Sequence, residues 1–228
     1  MPPEIRTIKL KMFAGLASVN CYLIKINANF VLIDTGTSGN RGEIENQLEK
    51  AGCKPGNLNL ILITHGDSDH AGNAAYLRDK YGTKIAMHQG DSGMVQKGDM
   101  LWNRKGNPIS KIMKPFMGLS KSNRFTPDFY VEDGYDLIDY GLNAQVIHIP
   151  GHSLGSLGIL TDQGDLFCGD LLINTDKPVL NSIMDDKKAA NLSIEKLEKL
   201  NIVNVYPGHG EPFPWDFLTE VKEQRVEE

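Results

Sequence analysis

Residues 58–63, Leu-Asn-Leu-Ile-Leu-Ile, form an almost unbroken apolar run. Polar chemistry follows at once in Thr64-His65-Gly66-Asp67-Ser68-Asp69-His70. An apolar run of this length predicts a strand buried on both faces, which requires layers packed on each side of its sheet. The residues after the cluster, Ala71-Gly72-Asn73-Ala74-Ala75-Tyr76-Leu77, predict a helix over roughly 71–81. The cluster therefore sits in a loop at the C-terminal end of a strand, where ligands and chemistry collect in α/β folds. Two readings of it are open. Alternate residues of an extended loop converge on one point, and neutral imidazole with ionised carboxylate is an ordinary donor set for a divalent metal. The other reading is an Asx-rich turn capping the next helix through Asp69 or His70.

Around this stretch the chain alternates strand and helix, the mark of an α/β protein. Residues 5–12 and 19–26 predict strands joined by a turn near Gly15, and 29–34 a third that ends in Asp34-Thr35-Gly36. Ile44, Leu48 and Ala51 lie at helical spacing and predict a helix over 41–51, stopped by Gly52. A short strand at 84–87 follows. After residue 134 strands are expected at 135–139, 144–149, 155–161, 166–168 and 202–206. A helix over about 186–200 is expected with Asp185 or Asp186 as its cap, and a terminal helix over 215–224.

Residues 91–126 break this rhythm. Ile109, Ile112, Met113, Phe116 and Met117 make an apolar helical stripe interrupted by Pro115, and Met94, Met100, Trp102 and Phe125 flank it. The segment carries seven basic residues, Arg104 among them, against Asp91 and Asp99. It reads as a lid-like insertion able to adapt to an apolar ligand with an anionic part, or as ordinary core or a homodimer contact.

Three further loops place one metal-competent side chain after a predicted strand: Pro150-Gly151-His152, Gly169-Asp170 and Pro207-Gly208-His209. Four of the six histidines thus lie in strand-end loops. The ordered set His-x-Asp-x-Asp-His, Gly-His, Gly-Asp, Gly-His, opened by Asp-Thr-Gly, resembles the metallo-β-lactamase-fold superfamily over about residues 15–212. The resemblance implies a four-layer αβ/βα sandwich, with two mixed β-sheets face to face, helices outside and a dinuclear metal site at one edge, in one domain over 1–228. It implies that His65, Asp67 and His152 hold one divalent cation. Asp69, His70 and His209 hold the other, and Asp170 bridges the two. A metal-bound hydroxide would be the nucleophile, Asp69 a proton carrier, and Asp34 an orienting partner of a ligand histidine.

One position departs from the family pattern, which usually reads His-x-His-x-Asp-His: Asp67 stands at the middle histidine. A third carboxylate makes the centre a weaker Lewis acid and favours harder ions. Zinc remains the leading expectation, with iron and manganese as alternatives, and filling of the first position is in question. Flavodiiron proteins of the same superfamily place a Glu there and bind iron, but carry a flavodoxin domain this chain lacks. His88 and His148 are read as structural, and Cys168 as a small core residue.

With 40% hydrophobic and 23% charged residues, the chain reads as an ordinary globular protein. Its net charge of −5 argues against a general nucleic-acid binder. No apolar leader or membrane span is read, and three scattered cysteines give no disulfide framework. A cytoplasmic location is the corresponding expectation. The expected activity is a metal-dependent hydrolase that cleaves an ester, thioester or lactone of a small molecule. A non-heme iron redox enzyme handling persulfide or oxygen is the alternative, and a binding protein of decayed catalytic power a third. A secreted β-lactamase would show a signal segment. A hydroxyacylglutathione hydrolase usually adds a C-terminal helical domain, whereas nineteen residues follow His209. The RNA-processing nucleases of the superfamily fit the charge poorly.

Overall fold

A computed structural model describes residues 3–104 and 118–218, apart from the side chains of Phe13 and Leu218. In the first half, β1 (Glu4–Met12), β2 (Ala17–Ile26), β3 (Asn29–Ile33), β4 (Leu58–Leu62), β5 (Ile85–Met87) and β6 (Phe129–Tyr130) build one sheet in sequential order. The first three strands are antiparallel neighbours, and β3 to β6 run parallel. Helices α1 (Arg41–Lys50), α2 (Ser68–Ala71), α3 (Ala74–Tyr81) and α4 (Gln89–Lys97) fill the connections. In the second half, β7 (Ala144–His148), β8 (Leu157–Thr161) and β9 (Asp165–Gly169) join a short pair, β10 (Leu172–Ile173) and β11 (Val179–Leu180). After them come α5 (Lys187–Leu197), β12 (Asn204–Pro207) and β13 (Phe213–Pro214). The second sheet has the order β13-β12-β9-β8-β7.

Side-chain parity along the strands sets the layers. Tyr22, Ile24, Val31, Ile33, Leu60 and Leu62 point to one face of the first sheet and pack against Val146, Ile159 and Phe167 of the second. The alternate residues Leu23, Leu32, Ile61 and Ile63 pack against Ile44 and Leu48 of α1 and Leu77 and Tyr81 of α3. On the far side, Leu166, Cys168 and Val205 pack against Ala190, Ile194 and Leu197 of α5. The result is helix, sheet, sheet, helix. This is why Phe30-Val31-Leu32-Ile33 and Leu60-Ile61-Leu62 read as continuous apolar runs.

Three expected elements differ. The helix over 71–81 is split at Gly72 and Asn73, and its first turn begins inside the polar cluster. A Cβ on Gly72 would come within 2.6 Å of the Gly36 carbonyl, and the Asn73 amide donates to the Thr35 and Thr37 carbonyls. The strand over 135–139 is reduced to a single bridge between Asp136 and Gln145. There the Ile138 N–H bonds the Asp136 carboxylate and starts a short 3-10 turn. Trp215–Leu218 is likewise a 3-10 turn rather than the start of an α-helix, and residues 219–224 lie outside the described residues. So does the stripe from Ile109 to Met117. The described flanks of that segment place Met94, Val95, Met100, Leu119 and Phe125 in buried positions.

Phe167 is fully buried between the sheets, 5.1 Å from the Tyr22 ring and 4.8 Å from the Tyr206 ring, centroid to centroid. Phe167→Ala is expected to cost about 3–5 kcal/mol, read as a loss of unfolding free energy in urea titration.

Candidate metal centre

β7, β9 and β12 run in one direction, as do β3 and β4, so their C-terminal ends meet at one edge of the sandwich. That edge carries Asp34 after β3, His65 after β4, His152 after β7, Asp170 after β9 and His209 after β12. Asp67 stands at the start of α2 without a capping bond from its side chain, and Asp69 and His70 lie within α2. The capping reading of Asp69 and His70 does not hold: both precede the turn's end and face the cluster.

All seven residues expected to bind metal are brought together. His65, Asp67 and His152 form one trio and Asp69, His70 and His209 another, with the donor atoms of each trio within 4.8 Å of one another. Asp170 groups with His65 and His70, one histidine from each trio. Its two carboxylate oxygens lie 3.3 Å from His70 Nε2 and 3.3 Å from His209 Nε2. Asp67 Oδ2 lies 3.1 Å from His152 Nε2, and Asp69 Oδ2 lies 3.5 Å from His209 Nε2.

The second nitrogen of each histidine fixes its orientation. His70 Nδ1 donates to Asp34 Oδ2 at 2.8 Å, His152 Nδ1 to the Ile183 carbonyl at 2.8 Å, and His209 Nδ1 to the Ser18 carbonyl at 2.7 Å. The Thr64 hydroxyl spends its one proton on Asp34 Oδ2, so it accepts from His65 Nδ1 at 2.9 Å. Each Nε2 is thereby aimed into the cluster. His65 Nε2, His70 Nε2 and Asp170 Oδ1 are buried with no hydrogen-bond partner. Buried polar atoms left this way are costly unless something else satisfies them. A divalent cation does, and the imidazole and carboxylate donors suit one. The residues therefore fit the cations that the sequence motif implies.

The glycines of these loops answer to space. A Cβ on Gly208 would come within 2.2 Å of Asp170 Oδ1, and one on Gly151 within 2.5 Å of the Ala190 side chain. The Pro207-Gly208-His209 loop is held from the other sheet by Asn20 and Tyr22, which donate to the Pro207 carbonyl.

Burial presses the His65 imidazole well below its ordinary pKa, aided by His70 and His152. Burial acts in the same sense on His70, but the carboxylates of Asp170, Asp34 and Asp69 outweigh it and hold that ring well above its ordinary value. For His209 burial is outweighed by Asp170 and Asp69, giving about 10. Against its own burial, Asp170 is held well below the carboxylate range by His70 and His209.

Three residues of the site were not marked by sequence reasoning as parts of it. Thr64 relays Asp34 to His65. Asp91 is fully buried and accepts from Gly66 N–H, Ser153 Oγ and Gly155 N–H, tying the first histidine loop to the His152 loop. Arg104, noted only among the basic residues, contacts Asp67 Oδ1 at 2.8 Å. Asp67 itself was the available signal, since an extra buried carboxylate requires a counter-charge. Nothing local pointed to Asp91. His88 and His148 take the structural roles expected of them: the rings stack at 4.2 Å, His88 caps α4 at Gly90 N–H, and His148 Nε2 donates to the Leu154 carbonyl. The Cys168 thiol is core, pushed up to about 12 by burial.

The profile of the metallo-beta-lactamase superfamily matches residues 14–209, and the chain belongs to that superfamily. A probable metallo-hydrolase of Methanocaldococcus jannaschii is 30% identical over 205 residues, which are 85% of this chain and 88% of that one. A hydroxyacylglutathione hydrolase of Haemophilus influenzae is 30% identical over 67% of this chain and 66% of its own length. A beta-lactamase-like protein 2 homolog of Caenorhabditis elegans is 25% identical over 86% of the chain, which spans 57% of the longer relative. Among solved structures, the BLEG-1 B3 metallo-beta-lactamase superposes with a TM-score of 0.74 at 20% identity, covering 95% of this chain and 97% of that one. A protein crystallised in a di-iron-bound form gives 0.71 at 24% identity, covering 93% and 97%. Both establish the sandwich fold. No helix among the described residues is long and apolar enough to cross a membrane.

Two outcomes follow for metal binding. Asp34→Asn replaces an acceptor serving both His70 and Thr64. It is expected to weaken metal affinity about 10- to 100-fold with an unchanged circular dichroism spectrum. Because His70 and His209 are raised, they are protonated at neutral pH without metal, and a cation must displace those protons. Proton release should appear in calorimetric titrations of Zn2+ run in buffers of different ionisation heat. Affinity should fall as pH is lowered, about tenfold per pH unit for each proton displaced.

Proposed function

We propose that the protein is a metal-dependent hydrolase that cleaves an ester, thioester, lactone or similar acyl bond of a small molecule. One observation carries the reading. Four imidazoles, each fixed through Nδ1, direct Nε2 at three carboxylates in a buried edge where partnerless donor atoms remain. His65, Asp67 and His152 would hold one divalent cation, Asp69, His70 and His209 the second, with Asp170 between them. When bound, such cations supply Lewis acidity and a water that ionises at neutral pH.

The chain's own residues do the rest. Asp34 and Thr64 orient His70 and His65. Asp69 is the most exposed of the three carboxylates, with 24% of its side chain open against 9% for Asp67 and 8% for Asp170. It is the group placed to take a proton from the attacking water and give it to the leaving group. Similarity to a hydroxyacylglutathione hydrolase supports acyl-bond cleavage. Zinc is the metal we favour. Asp67, together with the di-iron-bound structural neighbour, keeps an iron centre with redox chemistry as the second reading.

The test is a panel of esters, thioesters and lactones offered to chelator-stripped protein and to protein reloaded with Zn2+ or Fe2+. Hydrolysis is expected to require metal, at two ions per chain, and Asp69→Asn should lower kcat by about 10²-fold or more even when the variant is reloaded to two ions per chain. Metal-loaded protein that is inert across the panel but consumes oxygen would replace the hydrolase with the redox reading.

A further inference from the structure

Asp67 occupies a position where the superfamily motif usually has a neutral imidazole, and its carboxylate is divided between two kinds of neighbour. Oδ2 faces His152 Nε2 at 3.1 Å and His65 Nε2 at 3.7 Å. Oδ1 meets Arg104 Nη1 at 2.8 Å, and Nη2 of the same guanidinium lies 3.5 Å from His152 Nε2. The guanidinium is held from other sides as well: its Nε lies 2.8 Å from Asp185 Oδ2, and Nη2 lies 3.5 Å from the His152 carbonyl. The Arg104 and Asp67 side chains are each 9% exposed. Charges so far removed from water persist where each compensates the other and further bonds fix the geometry. Arg104 with Asp67 sums to zero, the charge of the imidazole that the pair replaces. The second trio differs. Asp69 and Asp170 meet histidines there, and among the described residues no guanidinium is paired with either.

Resting on the dinuclear reading above, we propose that Arg104 is a built-in counter-ion for Asp67, and that a cation at the His65–Asp67–His152 position must share that carboxylate with it. The two cation positions are therefore unequal, and the Asp69–His70–His209 position fills first. Without metal, the guanidinium neutralises a buried anion. With metal, the same charge repels a divalent ion held by the other oxygen of the same carboxylate. Removing it has opposite effects on the two states: the metal-free fold loses stability, and the weaker cation binds more tightly. A merely structural arginine gives a different signature, with lower stability and no gain in affinity.

The experiment titrates Zn2+, with chelator competition, into wild type, Arg104→Met and Arg104→Lys, and records the melting temperature of each stripped protein. Wild type is expected to bind two Zn2+ ions unequally. Arg104→Met should tighten the weaker site by about tenfold or more and lower the stripped Tm. Arg104→Lys keeps the charge and should stay near wild type. The double variant Asp67→His/Arg104→Met removes the pair together and guards against misfolding of the single variant. It should bind the weaker ion more tightly than Asp67→His alone, because there the guanidinium repels the cation with no carboxylate beside it. Unchanged or weaker binding in Arg104→Met, tightening in Arg104→Lys equal to that in Arg104→Met, or no gain in the double variant over Asp67→His would each overturn the proposal. Wild type that takes up no Zn2+ or Fe2+ would instead overturn the metal-centre reading on which it rests.

Discussion

The carboxylate of Asp34 is the interaction on which the site depends. It is 2% exposed, at the end of β3, in the left-handed backbone region at φ 59°. It accepts the Thr64 N–H at 2.8 Å, the Thr64 hydroxyl at 2.8 Å and the His70 ring at 2.8 Å. One residue thus sets the exit of β4, the orientation of His65 through Thr64, and the orientation of His70 directly. A non-glycine residue in that backbone region is strained, and Asp is among the few side chains that tolerate it. The strain is offset by these three bonds.

Around Asp34 the edge of the sandwich concentrates charge in a place where water is scarce. Asp34, Asp67, Asp91 and Asp170 are all buried, and each is answered by groups from other segments of the chain. Asp91 takes three donors from two loops, Asp67 takes a guanidinium, and Asp170 faces two imidazoles. The low dielectric that makes an unmatched charge costly also strengthens each matched pair. Site geometry and edge stability are consequently one property.

Much of this was legible in the sequence, because the legible parts are local. A strand buried on both faces must be apolar at every position, and Leu58–Leu62 is nearly so. The Gly-His and Gly-Asp pairs could be read because close approach at Gly208 leaves no room for a Cβ. The seven expected ligands are local in the same sense, each in a loop or first helical turn that follows a strand. What was not legible depends on partners distant in the chain. The break at Gly72 is imposed by the backbone of Gly36 and Ser38, and the loss of the strand over 135–139 by a side-chain bond from Asp136. Asp91 serves loops 25 and 64 residues away, and Arg104 reaches Asp67 and Asp185 from within a basic stretch that reads as a lid-like insertion. No period or motif encodes such bonds.

The donor set is also split along the chain. His65, Asp67, Asp69 and His70 come from the first sheet's connections, and His152, Asp170 and His209 from the second's. Neither half on its own holds any of the three groups complete: each takes two donors from the first half and one from the second. A cation seated here would act as a non-covalent staple across the mid-plane of the sandwich. Separating the sheets would mean giving up the ion, so resistance to unfolding and retention of metal would rise and fall together. A protease that needs the sheets apart would meet a substrate whose opening is governed by how fast the ion leaves.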